Sequence, residues 1–152
     1  MMTKRILALL TFVLFCISCS TTGQSVRAVS GSEDDTSSLV GPVWKWIYTI
    51  KKDGTKYIPP ESVNYTVQFL EAGMLRVKAD CNAKGGVYSV QGNRLIIEIT
   101  YSTRAACGEG SLEDQFVRDL MSGAVFFLKD RDLSLDLKFD SGRMMFFTEK
   151  SN

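Results

Sequence analysis

Two cysteines stand in the body of this 152-residue chain, and polar residues gather beside both. The first lies in Asp80-Cys81-Asn82-Ala83-Lys84-Gly85-Gly86, the second at the end of Ser102-Thr103-Arg104-Ala105-Ala106-Cys107. Two thiols can form a structural disulfide or act as a reactive pair. Their separation is far from Cys-x-x-Cys, so a thioredoxin-like redox role has no support. Asp80 and Asn82 flank Cys81, and their oxygens can hold a cation. They can equally cap turns through their own backbone, and no acidic run with calcium-loop spacing accompanies them. Asp80, Asn82, Thr103 and Arg104 are therefore the candidate residues of a small polar binding site. The chain contains no histidine. That removes the commonest general base, the commonest metal ligand and every Ser-His or Cys-His nucleophile arrangement. No catalytic residues, metal or cofactor are expected, and the chain reads as non-enzymatic.

These residues must be carried and positioned by the rest of the chain, and the first segment says where. Lys4 and Arg5 precede an almost wholly apolar run from Ile6 to Ile17, closed by Ser18-Cys19-Ser20. A charged start, a short apolar stretch and small residues at its end make a secretory signal too short to span a bilayer. Ser18 before Cys19 resembles a bacterial lipobox, although Cys16 stands where leucine is usual. On this reading residues 1–18 are removed and Cys19 is acylated, which anchors the protein to a membrane. The alternative is an ordinary cleaved signal without lipid. Loss of residues 1–18 removes Lys4 and Arg5 and no acid, so the net charge moves from +1 to −1. Ser20 after the cysteine, in place of Asp, suggests the outer membrane facing the periplasm if the source is Gram-negative. In an exported, oxidising compartment a Cys81–Cys107 disulfide persists. It would close a loop of about 26 residues, worth roughly 3–4 kcal/mol in the chain-entropy picture.

Residues 19–39 are rich in Ser and Thr, contain Gly and Gln, and carry an acidic patch Glu33-Asp34-Asp35. Such a composition buries too little apolar surface to offset its ordering entropy, and it reads as a flexible tether. The charges are mixed and form no basic stripe, which argues against nucleic acid as a partner.

Residues 40–150 read as one globular domain. Val43 to Ile50 is a strong strand, and period two places Trp44, Trp46 and Tyr48 on one face. Tyr65 to Phe69 and Leu75 to Ala79 form a hairpin through Glu71-Ala72-Gly73. Val87 to Val90, Leu95 to Ile99, Ala124 to Leu128, Leu133 to Phe139 and Arg143 to Thr148 follow, with Leu133, Leu135, Leu137 and Phe139 alternating. Asp140-Ser141-Gly142 closes the last hairpin. One helix is expected from Ser111, its N-cap, with Leu112, Phe116, Val117, Leu120 and Met121 on one apolar face and Gly123 as its stop. About eight short strands joined by tight turns imply antiparallel pairing, in an α+β, mainly β fold.

Trp44 at the domain start, Asp80-Cys81-Asn82, Gly86-Val87-Tyr88, Thr103-Arg104-Ala105-Ala106-Cys107 and the helix with Phe116 and Leu120 arrive in an order that resembles the META domain, in its HslJ-like form. The resemblance covers about residues 40–150. It implies an antiparallel sheet curling toward a barrel with one packed helix, and it implies no established reaction. The functional expectation is a membrane-anchored envelope lipoprotein, acting as a binding or envelope- and stress-maintenance module. Its partners would be the membrane, through lipidated Cys19, and an unidentified protein or envelope component. The alternative is an inhibitor of an exported enzyme such as a lysozyme.

Overall fold

The computed structural model describes residues 37–148. Cys19 and the signal-like segment lie outside them. Nine strands are present among the described residues: β1 (Val43–Lys51), β2 (Lys56–Tyr57), β3 (Tyr65–Phe69), β4 (Met74–Ala79), β5 (Asn82–Gln91), β6 (Arg94–Ser102), β7 (Gly123–Lys129), β8 (Asp132–Leu137) and β9 (Gly142–Phe147). The helix α1 (Glu113–Met121) falls between β6 and β7. From β3 to β9 each strand pairs with the next along the chain, and β9 pairs back with β1, which also holds β3. Eight antiparallel strands thus form a closed barrel, with short β2 added beside the far half of β1 at Thr49↔Tyr57. Closure removes sheet edges, as the expected curl toward a barrel requires. The closure is uneven. β6 and β7 share a single residue pair, Arg94↔Val125, and the backbone N–H of Phe126 donates to Asn93 O at 2.9 Å beside it.

The core follows the alternation of the strands. Trp44, Trp46, Tyr65, Phe69, Phe126 and Phe146 point inward and are buried. Helix α1 crosses one barrel end, where β1 finishes and β3 begins. Its Phe116 ring lies 5.0 Å from that of Trp46 and 5.4 Å from that of Tyr65. Phe116 and Leu120 are fully buried. Two such side chains contribute on the order of 3–6 kcal/mol, which holds the helix on the barrel. Asp119, also buried, pairs with Lys51 at the end of β1 and accepts from Gln115 at 2.9 Å. The chain enters at the opposite end. There Leu39 is buried, its carbonyl accepts from Trp44 Nε1 at 3.0 Å, and Val40 bridges Phe69. Every buried apolar side chain among the described residues falls between Leu39 and Phe146, so this segment holds a complete core.

Four local expectations are corrected. Tyr48 does not share the inward face of Trp44 and Trp46. A bulge between Trp46 and Tyr48 shifts the register against β9, turning Thr49 inward, where its hydroxyl accepts from Trp46 Nε1 at 3.0 Å. Tyr48 faces outward with the Lys56 ammonium 4.1 Å above its ring. β8 ends at Leu137, so Phe139 sits in the turn rather than the core. The helix begins at Glu113 with Leu112 at its N-cap position. Ser111 still serves the helix start, because its hydroxyl accepts from Glu113 N–H at 3.3 Å. Gly123 does follow the C-cap Ser122 directly, but without the left-handed backbone of a glycine cap, and Met121 is exposed rather than on the buried face. Gly123 also opens β7, at a place where a Cβ would lie 2.5 Å from Leu135 Cδ2.

Candidate functional site

Cys81 ends the tight β4–β5 turn, whose Asp80 takes a left-handed φ of 55°. Cys107 lies in the irregular segment between β6 and α1. The two form a disulfide, with Cα atoms 5.6 Å apart. The covalent link therefore ties the β4–β5 hairpin to the approach of the helix. Cys81 is exposed and Cys107 half-buried.

Beside the bond, β5 begins with Asn82, which is only 2% exposed. Its amide nitrogen donates to Ala105 O at 3.0 Å and to Glu113 Oε2 at 2.7 Å. Its oxygen accepts from the Thr103 hydroxyl at 2.9 Å and from Ala105 N–H at 2.8 Å. All the hydrogen-bonding capacity of this amide is used, so the 103–107 segment is clipped to β5 by one side chain. Two residues along β5, on the same face, Lys84 reaches Glu113 Oε1 at 2.6 Å and donates to Ser102 Oγ at 2.7 Å. The Glu113 carboxylate lies 3.1 Å from Cys107 Sγ. Burial alone would raise its pKa, but hydrogen bonds from Lys84 and Asn82 and the charge of Lys84 outweigh that and hold it below the usual carboxylate value. A carboxylate so held, with both oxygens engaged, is a poor proton acceptor.

The four residues of the expected polar site divide. Asn82 and Thr103 meet, as described. Arg104 lines a shallow cleft of about 460 Å³ with Asn82, Lys84, Glu113 and Asp114. Asp80 stands apart, accepting from the Tyr65 hydroxyl at 3.4 Å. That same hydroxyl accepts from Leu112 N–H at 2.9 Å, and burial raises its pKa. Glu113 and Lys84 are the members that the sequence reading missed. Strand period places Asn82 and Lys84 on one face, which was a usable signal; that the helix start lands on this face was not legible. Cys81, Cys107 and Glu113 place their ligand-type atoms within 4.8 Å of one another. While the disulfide stands, neither sulfur is a thiolate and the set cannot act as a soft metal site. A groove of about 820 Å³ lies at the other barrel end, lined by residues including Lys45, Gln68, Arg131 and Phe147, remote from this cluster.

The META domain family model matches residues 38–152. The chain belongs to the META domain family. The match takes in the disulfide, the Asn82 clasp and the helix that covers the barrel end. The META barrel seen here is similar to a protein from Burkholderia xenovorans solved by NMR, with a TM-score of 0.67 and 18% identity over 86% of this chain and 97% of that one. It is also similar to a DUF4847-family protein from Bacteroides vulgatus, with a TM-score of 0.57 and 12% identity over 75% of this chain and 96% of that one. At these identities the likeness concerns the fold. A search of curated proteins found no match.

Proposed function

We propose that this META-domain protein is an exported lipoprotein, anchored through Cys19, that works without catalysis as a binding or maintenance module of the cell envelope. The observation that carries the reading is the Cys81–Cys107 disulfide, which belongs with an oxidising compartment. The lipobox-like Ser18-Cys19 behind an apolar run supplies the anchor, and several acyl chains on one cysteine give stable attachment. The polar cluster supports a structural use of its residues, since Asn82 and Lys84 spend their hydrogen bonds on the 102–113 segment, Glu113 included. The partner is then a protein or polymer of the envelope, and the mixed charges give nucleic acid no footing.

The test is fractionation of cells that express the full chain or its Cys19→Ala variant. The native protein should sediment with membranes and the variant should be released to the soluble exported fraction. A variant that stays with membranes removes the lipid anchor. Thiol labelling before and after reduction checks export in the same cells. Cys81 and Cys107 that label without reduction in intact cells would refute it.

A further inference from the structure

Phe139 is 96% exposed at the tip of the β8–β9 turn. Its backbone is left-handed, with φ 60° and ψ 27°, and Asp140 follows with φ 53°. Ser141 N–H closes the turn on Lys138 O at 3.3 Å. A two-residue turn with both central residues at positive φ favours Asn and Gly. Elsewhere the positive-φ positions among the described residues hold glycine, Ala72, Asp80 and Asp130. Only here does a large apolar side chain occupy one, and it is held almost wholly in water. Both features act against the isolated fold, and a local rule broken in this way points to a contact outside it.

A hollow of about 200 Å³ adjoins this turn and shares Lys138 with it. Ile96 and Ala124 give it apolar walls over the buried Leu95, Arg94 and Lys138 add cations, and Ser89 and Gln91 complete its rim. It lies at the β6–β7 seam, where the sheet is joined by one residue pair. Ile96 is 62% exposed here. An apolar cavity of about 150 Å³ suffices for a benzene ring, so the hollow has room for one phenyl group. The knob thus combines an aromatic ring with a carboxylate, since the Asp140 side chain is exposed and only loosely paired with Lys52 at 3.2 Å. The hollow combines aliphatic walls with cations. The ring of one complements the apolar walls of the other, and Asp140 complements Arg94; knob and hollow lie side by side on one surface, with Lys138 between them.

We propose that a second copy of this chain covers this surface. Phe139 of each copy seats in the other's hollow against Leu95, Ile96 and Ala124, and Asp140 faces the other's Arg94. Because knob and hollow adjoin, a two-fold axis beside Lys138 makes the exchange reciprocal, and a contact of that kind closes as a dimer. Arg94 over the ring adds a cation–π contact. Such a dimer requires neither lipidation nor export.

The test is sedimentation equilibrium of residues 20–152, which contain the whole closed barrel and its core, from micromolar to millimolar concentration. A reversible dimer is expected. Phe139→Ser removes two buried rings per dimer and should weaken association about a hundredfold, at roughly tenfold or more per ring. Asp140→Arg and Arg94→Asp should each weaken it, and the double variant should restore it, because the charges are then exchanged rather than lost. Circular dichroism of each variant checks that the sheet is retained. A chain that stays monomeric at every concentration overturns the proposal and leaves Phe139 for a different protein. A dimer that survives Phe139→Ser, or a double variant as weak as the single ones, overturns it as well.

Discussion

Asn82 is the side chain on which the helix end of the barrel is clipped, and its replacement can be worked out from four bonds. Asn82→Ala removes donation to Ala105 O and Glu113 and acceptance from Thr103 Oγ1 and Ala105 N–H. At about 0.5–1.5 kcal/mol net per bond, and with water able to reach exposed Ala105, the loss should be about 2–4 kcal/mol. Asn82→Asp separates shape from chemistry. It keeps both acceptors, loses both donors and sets a carboxylate where the amide stood 2.7 Å from Glu113. Like charges at such range repel by several kcal/mol at an effective dielectric near 20, and relaxation and Lys84 reduce this to about 1–3 kcal/mol. The new carboxyl's folded pKa is raised above its unfolded value near 3.9, so its penalty is present at neutral pH and fades as pH falls toward about 4. Glu113 has the opposite sign. Its folded pKa is depressed, so its stabilisation is present above the unfolded value near 4.3 and is lost as pH falls through the folded one. The assay is urea unfolding with the disulfide intact, followed by the fluorescence of buried Trp44 and Trp46, between pH 7 and pH 4. An Asn82→Ala cost below about 1 kcal/mol would refute the clasp. A gap between the Asp and Ala variants that does not change with pH would refute its electrostatics.

Three further outcomes follow from the same structure. Replacing Cys81 and Cys107 together by alanine should cost about 3–4 kcal/mol, from the freedom returned to a loop of sequence separation 26; a loss under about 1 kcal/mol in chemical denaturation would show that the staple constrains little. Lys51→Met strands the buried Asp119 carboxylate and should cost about 1–3 kcal/mol, since Lys51 is partly exposed and Gln115 still donates; adding Asp119→Leu should recover most of it, and a double variant weaker than the single one counts against the pairing argument. Phe139→Asn suits the left-handed turn and should raise the stability of the dilute monomer by about 0.5–1 kcal/mol, read as a higher melting midpoint; an unchanged or lower midpoint would mean that phenylalanine is not strained there.

The residues that misled the sequence reading share a physical cause. Period-two alternation reports which face a side chain occupies only while the register runs on unbroken. Trp44 and Trp46 obey it, and the bulge after Trp46 then reverses the faces for Tyr48 and Thr49. A threonine is neutral between the two faces, so nothing in its type announced that it would turn inward to accept from an indole. In the same way Phe139 continues the alternation of Leu133, Leu135 and Leu137, and only the pairing of β8 with β9, which ends at Asp136↔Arg143, leaves it beyond the sheet. The disulfide and the antiparallel order were legible because they depend on residue type and short turns. The clasp was half legible. Asn82 stood out for its place beside Cys81, but its function depends on Glu113, which a sequence reader places in the first turn of a helix for its dipole and need look no further. Polar residues at a candidate site are thus read too readily as facing a ligand. Here the amide that looked available is the one whose every bond is spent, whereas the phenylalanine that looked buried is the one left facing water.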